Sequence, residues 1–343
     1  MNSKLKQIPT NIITGFLGVG KTSSILHLLK HKPDNERWAV LVNEFGEIGI
    51  DGSLIQGQYS ENSGIFIEEV PGGCMCCAAG LPMQVALNQL LSKAKPDRLL
   101  IEPTGLGHPI EIIQILSDKF YQQLLKVEKI LTLVDARNLT DPRYTEHDTF
   151  NQQISIADVV IGNKHDLYQG DELATLESYV KKIVGSDVGS KITISFTEQG
   201  QIDPQWLQGE TAAIARHAHH HHHHASSNSP DLNTLDLNRM DIPEAGYVKA
   251  ENDGEGFSSI GWRFDSHKVF NRKKLHVFLT GLKAERMKAV FITEQGIFGY
   301  NLTSDALTEI ELDEAMESRV EIIAYDREPQ WQEDLLACME SSE

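Results

Sequence analysis

Four clusters in this sequence have the residue types and spacing of working chemistry: a glycine-rich run ending in lysine, an Asn-Lys-x-Asp quartet, a knot of cysteines and a tract of histidines. The run Gly15-Phe16-Leu17-Gly18-Val19-Gly20-Lys21-Thr22 satisfies G-x-x-x-x-G-K-[ST]. In such a loop the glycines let backbone N–H groups face phosphate oxygens, and the helix that follows adds its positive end. Lys21 is expected to reach the β- and γ-phosphates and to act catalytically there, and the Thr22 hydroxyl to ligate Mg2+. Gly15, Gly18, Val19, Gly20, Lys21 and Thr22 form the expected cradle. A chance glycine-rich turn would lack the strand before and the helix after that this sequence also provides.

Asn163-Lys164-His165-Asp166 follows an apolar strand pattern and matches N-K-x-D. The Asp166 carboxylate would accept from guanine N1–H and the 2-amino group, which adenine does not offer, so GTP is the expected nucleotide with Asn163, Lys164 and Asp166 selecting its base. A polar exit from a strand is the plain alternative. Thr197, after a strand at 191–195, is expected to close over the guanine. Arg98-Leu99-Leu100-Ile101-Glu102-Pro103-Thr104-Gly105 reads as a Walker B strand ending in E-x-x-G. Glu102 would hold Mg2+ through water or orient the attacking water, and the Gly105 N–H would sense the γ-phosphate. Between these motifs, residues 43–52 (Asn43-Glu44-Phe45-Gly46-Glu47-Ile48-Gly49-Ile50-Asp51-Gly52) suit a switch, with Glu44 catalytic and Asp51 reaching Mg2+; an exposed acidic loop explains the same residues.

Three of the four cysteines, Cys74, Cys76 and Cys77, fall within Gly73-Cys74-Met75-Cys76-Cys77, just before a helix expected to start at Pro82. A helix N-terminus favours thiolate over thiol, and thiolates bind metal. Three sulfurs leave tetrahedral Zn2+ one ligand short, which suits a transferable ion; Glu68, Glu69, His108 or water would complete it. Redox sensing and buried structural cysteines are the alternatives. His217, His219, His220, His221, His222, His223 and His224 form an accessory tract able to capture Zn2+, Ni2+ or Co2+ on a flexible tether. A purification tag or a plain solvated linker would also produce such a tract, although this one is internal.

These motifs must be held by a scaffold. Over the first 200 residues, short apolar runs at 11–14, 38–43, 98–101, 130–134, 159–162 and 192–194 alternate with helical patterns at 22–30, 82–94, 109–120, 151–156 and 172–183, the signature of α/β architecture. Ile25, Leu28 and Leu29, and likewise Val85, Leu87, Leu90 and Leu91, follow helical spacing and supply faces for a sheet. The fold expected is a P-loop NTPase with a mostly parallel sheet flanked by helices (residues 1–207), a His-rich flexible linker (208–245), and a smaller α+β C-terminal domain (246–343). In the last, strands are expected near 246–249, 256–264, 289–292, 297–300 and 320–324, with helices near 271–282 and 330–339.

The 343 residues carry 31 Lys+Arg against 49 Asp+Glu, a net charge of −18, and residues 301–343 hold 13 acidic residues against Arg319 and Arg327. Such a surface repels a polyanion, so nucleic acid is not an expected partner. No apolar run approaches the roughly 18 residues of a membrane span, and no secretory signal pattern is visible, so a cytoplasmic protein is expected.

Taken in order, Gly15 to Thr22, Asn43-Glu44-Phe45-Gly46-Glu47, the Cys-x-Cys-Cys run, Glu102-Pro103-Thr104-Gly105 and Asn163-Lys164-His165-Asp166 resemble the CobW family of GTP-dependent metallochaperones, and within it the YeiR-type zinc-binding GTPases. The resemblance is strong over the first domain and looser from Gly246 onward, which would be the CobW-type C-terminal domain. It implies a slow GTPase that binds Zn2+, or Co2+ in some branches, at the cysteines and passes it to a client metalloprotein. A nucleotide- or metal-dependent homodimer is compatible with it. A storage protein built on the His tract, or a regulatory GTPase without metal transfer, would use subsets of the same motifs. Leu106 follows Gly105 where Ras-type enzymes place a water-positioning glutamine, so the purified protein alone should hydrolyse GTP slowly. Single-turnover phosphate release measures this, and turnover on the one-per-second scale would contradict it.

Overall fold

The computed structural model describes residues 7–42, 63–70, 81–107, 109–185, 189, 191–213, 242–243, 245–254, 256–303, 306–312 and 315–340. Contacts between residues group the chain into two units. Glu44, Asp51, the cysteines Cys74, Cys76 and Cys77, His108 and the histidines from His217 to His224 lie outside the described residues.

The first unit is built on eight strands: β1 (Ile8–Gly15), β2 (Trp38–Val42), β3 (Ile65–Glu69), β4 (Arg98–Glu102), β5 (Leu125–Val127), β6 (Leu131–Val134), β7 (Val159–Gly162) and β8 (Thr193–Phe196). Their order is β3-β2-β4-β1-β6-β7-β8, with β5 also pairing β1, and every pairing is parallel. All residues of β2, β6 and β7 are buried. Strands covered on both faces have to read as continuous apolar runs, and this is why they were visible in the sequence. Helices α1 (Lys21–Lys30), α2 (Leu81–Ala94), α3 (Pro109–Leu116), α4 (Asp148–Ser155) and α5 (Glu172–Val184) accompany the sheet. Ile25, Leu28 and Leu29 are buried on α1 as their spacing requires. On α2 the buried stripe is Met83, Ala86, Leu87 and Leu90, packed with Ile12, Leu41, Leu99 and Ile101, whereas Val85 is 54% exposed and faces away.

Parallel pairing brings strand ends to one edge. Val42 is registered with Glu69 on one side and Glu102 on the other, and the Val70 N–H donates to the Val42 carbonyl at 3.0 Å. The carboxyl ends of open parallel strands are where such sheets bind ligands.

The second unit contains β9 (Tyr247–Gly254), β10 (Phe257–Phe264), β11 (Arg286–Thr293), β12 (Gly296–Leu302), β13 (Leu307–Leu312) and β14 (Ser318–Ala324), antiparallel in the order β13-β12-β11-β14-β10-β9. Helices α6 (Arg272–Gly281) and α7 (Trp331–Ala337) insert Leu275, Leu279, Trp331 and Leu335 into a core with Trp262, Phe264, Phe291 and Tyr300.

Several elements differ from expectation. β3, β5 and β13 were not anticipated: β3 ends in two glutamates, β5 has three residues, and β13 is a charged end strand whose central residues are exposed. α3 stops at Leu116 rather than 120, because the Ser117 hydroxyl turns back to the Ile113 carbonyl (2.6 Å) and the Asp118 carboxylate accepts from the Phe120 N–H (2.8 Å). α4 begins at Asp148 rather than 151, since Nδ1 of His147 caps it by accepting from the Thr149 N–H at 3.2 Å.

In the second unit Glu317 accepts from Arg263 Nε at 2.6 Å and from Arg319 Nε at 2.6 Å. Burial pushes the Glu317 carboxyl up, but the two guanidiniums outweigh it and hold it below the usual carboxylate range. A depressed folded-state pKa stabilises above the unfolded value and is lost as pH falls through the folded one. Glu317→Gln should therefore lower stability at pH 7 by about 2 kcal/mol and lose less on acidification below pH 4.5 than the parent. Urea denaturation at both pH values measures the difference.

Candidate functional site

β1 delivers the glycine-rich loop at its carboxyl end and α1 leaves from it, so the loop wraps the N-terminus of a helix. Gly20 sits at φ +96°, and a Cβ there would lie 2.5 Å from Nδ2 of Asn163, so only glycine fits. The Lys21 ammonium is buried and donates to the carbonyls of Gly15 (2.9 Å) and Phe16 (3.1 Å), which keeps the cation inside the turn of the loop. The Thr22 hydroxyl donates to Oε1 of the buried Glu102 at 3.1 Å. A hydroxyl beside a carboxylate is the hard oxygen set that Mg2+ takes, so these two residues fit that ion.

Asn163 belongs to both halves of the site. Its Nδ2 donates to the Val19 carbonyl at 2.7 Å, its Oδ1 accepts from the Gly200 N–H at 3.1 Å, and it is 2% exposed. One side chain thus joins the phosphate loop, the base motif and the turn after β8. Each such buried bond contributes about 1 kcal/mol, and an amide left unpaired there would cost more than it gained. Asp166 is exposed. Lys164 takes a left-handed backbone (φ 60°), and its ammonium lies 3.6 Å from the buried Asp135, which also holds Arg137. Thr197 reaches the same loop through its backbone: its carbonyl accepts from the His165 N–H at 3.0 Å, while its hydroxyl donates to Gln201.

Gly105 lies against the phosphate loop so closely that a Cβ would be 2.9 Å from the Leu17 nitrogen. Leu106 is 1% exposed, so its side chain is buried among the core residues. Glu68 and Glu69 end the strand that leads toward the cysteines. Burial raises the Glu68 carboxyl, against the opposing pull of Lys93. Among the described residues no three His, Cys, Asp or Glu side chains form a metal cluster.

The structure also brings in residues that the sequence reading did not name. Tyr168 donates to the Asn163 carbonyl (2.8 Å) and accepts from the Ala136 N–H (3.1 Å). Burial pushes its phenol up to about 12, so it stays a neutral bridge. Asp135, Gly200 and Gln153 likewise support the loops, each through contacts between residues far apart in the chain. Asp135 alone had a local signal, standing directly at the end of the β6 run.

Residues 9–188 match the family described as CobW/HypB/UreG, nucleotide-binding domain. The chain belongs to the CobW/HypB/UreG family. This family member is 38% identical over 323 residues to the zinc chaperone YeiR of Escherichia coli (strain K12), covering 92% of each chain. It is 33% identical over 185 residues to zinc-regulated GTPase metalloprotein activator 1 of Schizosaccharomyces pombe, covering 53% of this chain and 45% of that one. The crystal structure of Zn(II)-bound YjiA GTPase from E. coli overlays 98% of this chain and 100% of that one at 18% identity, with a TM-score of 0.41. That overlay is too loose to transfer any feature.

Asn163→Ala removes both side-chain ties at once. Affinity for GTP and for GDP should fall together, by roughly 30-fold or more. A fluorescent-nucleotide titration reads this directly; unchanged affinity would mean the ties do not organise the pocket.

Proposed function

We propose that this CobW/HypB/UreG family GTPase is a zinc chaperone in which nucleotide state governs how metal is held by Cys74, Cys76 and Cys77 and released to a client metalloprotein. GTP would lie with its phosphates in the loop from Gly15 to Thr22, its base against Asp166, and its terminal phosphate facing the Gly105 N–H. Lys21 balances phosphate charge and the N-terminus of α1 adds its dipole. Mg2+ would be held by Thr22 and, directly or through water, by Glu102; bound there it neutralises charge that builds on the phosphate oxygens during transfer. Glu44 and Asp51 are proposed to join that shell from the switch segment. With Leu106 buried, no side-chain amide follows Gly105 to aim a water, so basal hydrolysis is slow.

The observation that carries the coupling is the register of three strands. Val42, the last residue of β2, leads into the proposed switch; Glu69, the last of β3, leads into the cysteine run; Glu102, the last of β4, faces Thr22. Adjacent strands lie about 4.8 Å apart, so the backbones of Glu69 and Glu102 are separated by roughly 10 Å. The relatives named as zinc chaperones support Zn2+ as cargo. Zn2+ would be written onto thiolates as a substrate ion, with the fourth position free for exchange. The His tract, His217 and His219 to His224, is proposed to capture metal and raise its local concentration.

Coupling between two sites is reciprocal: if GTP tightens Zn2+ binding, Zn2+ tightens GTP binding by the same factor. Competition with a chromophoric chelator should give different Zn2+ affinities in the GTP-analogue and GDP forms. Cys76→Ser should abolish that difference while sparing GDP binding. Equal affinities in the two forms of the parent protein would sink nucleotide-gated release.

A further inference from the structure

We infer that Gln153 is a positioning residue for recognition of the γ-phosphate. It lies on α4, and 1% of it is exposed. Its Nε2 donates to the Gly105 carbonyl at 2.9 Å in a buried bond. The helix is tied to the sheet at the same residue: the Thr132 hydroxyl on β6 donates to the Gln153 carbonyl at 2.7 Å. One turn earlier, Phe150 packs edge-on against Phe16 of the phosphate loop, with ring centroids 5.7 Å apart. Gln153 thus sits where α4, β6 and the turn after β4 meet.

Gly105 has no side chain to restrict its rotation. What limits it is packing against Leu17 on one side and the Gln153 bond on its carbonyl. Freed from that bond, the residue would rotate about its own backbone and its N–H would leave the direction a terminal phosphate occupies. Preorganised donors contribute because they need no reorientation when charge arrives. A diphosphate has no terminal group at that point, so GDP should be indifferent to Gln153.

The chemistry of the side chain places its whole polar contribution on the Gly105 bond. Oε1 of Gln153 is buried with no hydrogen-bond partner among the described residues. Such an oxygen is a desolvation cost that an apolar side chain of equal length avoids. Methionine would fill the same space but would leave the buried Gly105 carbonyl without its donor, so the unpaired oxygen is carried for the sake of the bond that the nitrogen makes.

The inference rests on the reading that the Gly105 N–H meets the γ-phosphate, and the test separates the two. Affinities for the β,γ-imido analogue of GTP and for GDP would be measured with Mg2+ on the full chain, on Gln153→Met and on Thr132→Val, together with thermal melts. Gln153→Met should lower the analogue-to-GDP affinity ratio roughly tenfold, the scale of one hydrogen bond to a charged group, with GDP affinity not reduced, while the Gly105 carbonyl left without its donor lowers the melting temperature. Thr132→Val, which loosens the helix without touching Gly105, should lower the ratio about twofold to threefold. A ratio equal to the parent's in Gln153→Met, or a parallel loss of both nucleotides, overturns the role of Gln153. Should Gln153→Met fail to bind GDP at all, an unchanged ratio in Thr132→Val overturns it instead. A parent protein that does not distinguish the analogue from GDP would remove the γ-phosphate reading of Gly105 itself.

Discussion

The site depends on a single buried carboxamide. Asn163 donates to the loop that would cradle phosphate and accepts from the turn that would flank the base, so neither can shift without breaking a bond inside the protein. Because Gly20 comes within contact of the same amide, the glycine and the asparagine constrain each other. A pocket held in this way gives up little conformational freedom when a ligand arrives, and affinity gains what would otherwise be lost to ordering. Tyr168 extends the lock by bonding the Asn163 backbone from below, and its high pKa keeps it a donor throughout the physiological range.

The scaffold's contribution is alignment. A parallel sheet buried on both faces has one register that satisfies its apolar pattern, and this register sets Val42, Glu69 and Glu102 side by side. Residues that are 27 and 33 positions apart in the chain leave the sheet as neighbours. The segment proposed as a switch and the one that carries the cysteines therefore follow strands that end on one short stretch of sheet edge, next to the carboxylate that faces Thr22. The second unit is built differently, with antiparallel strands around aromatic residues and helices on one face, and its acidic residues are partly engaged with arginines such as Arg263 and Arg319.

Much of this was legible in the sequence because the motifs are local. The glycines and Lys21, the Asn163 quartet and Glu102 each announce themselves within eight residues, and the central strands read as unbroken apolar runs. What was hidden depends on contacts across the chain or on weak local signals. β3 and β13 carry glutamates that dilute a strand pattern. Val85 had the spacing of a core residue on α2, yet Met83 and Ala86 took the buried stripe, since methionine adapts to an irregular gap and alanine allows close approach. Gln153 and Gly200 are ordinary residues in sequence, and with Asp135, whose one local signal is its place at the end of β6, they gain significance through partners 48, 37 and 29 positions away, at Gly105, Asn163 and Lys164. Helix limits moved where a hydroxyl or an imidazole captured a backbone group, as Ser117 and His147 do.

The burial of Leu106 bears on how fast the proposed cycle would turn. With an aliphatic side chain held there and no amide following Gly105 to aim a water, the proposed chaperone would favour persistence over throughput: once loaded, it would wait. Waiting would suit a courier whose recipient is scarce, because the armed state would then outlast the search, and the recipient rather than the courier would set the moment of discharge.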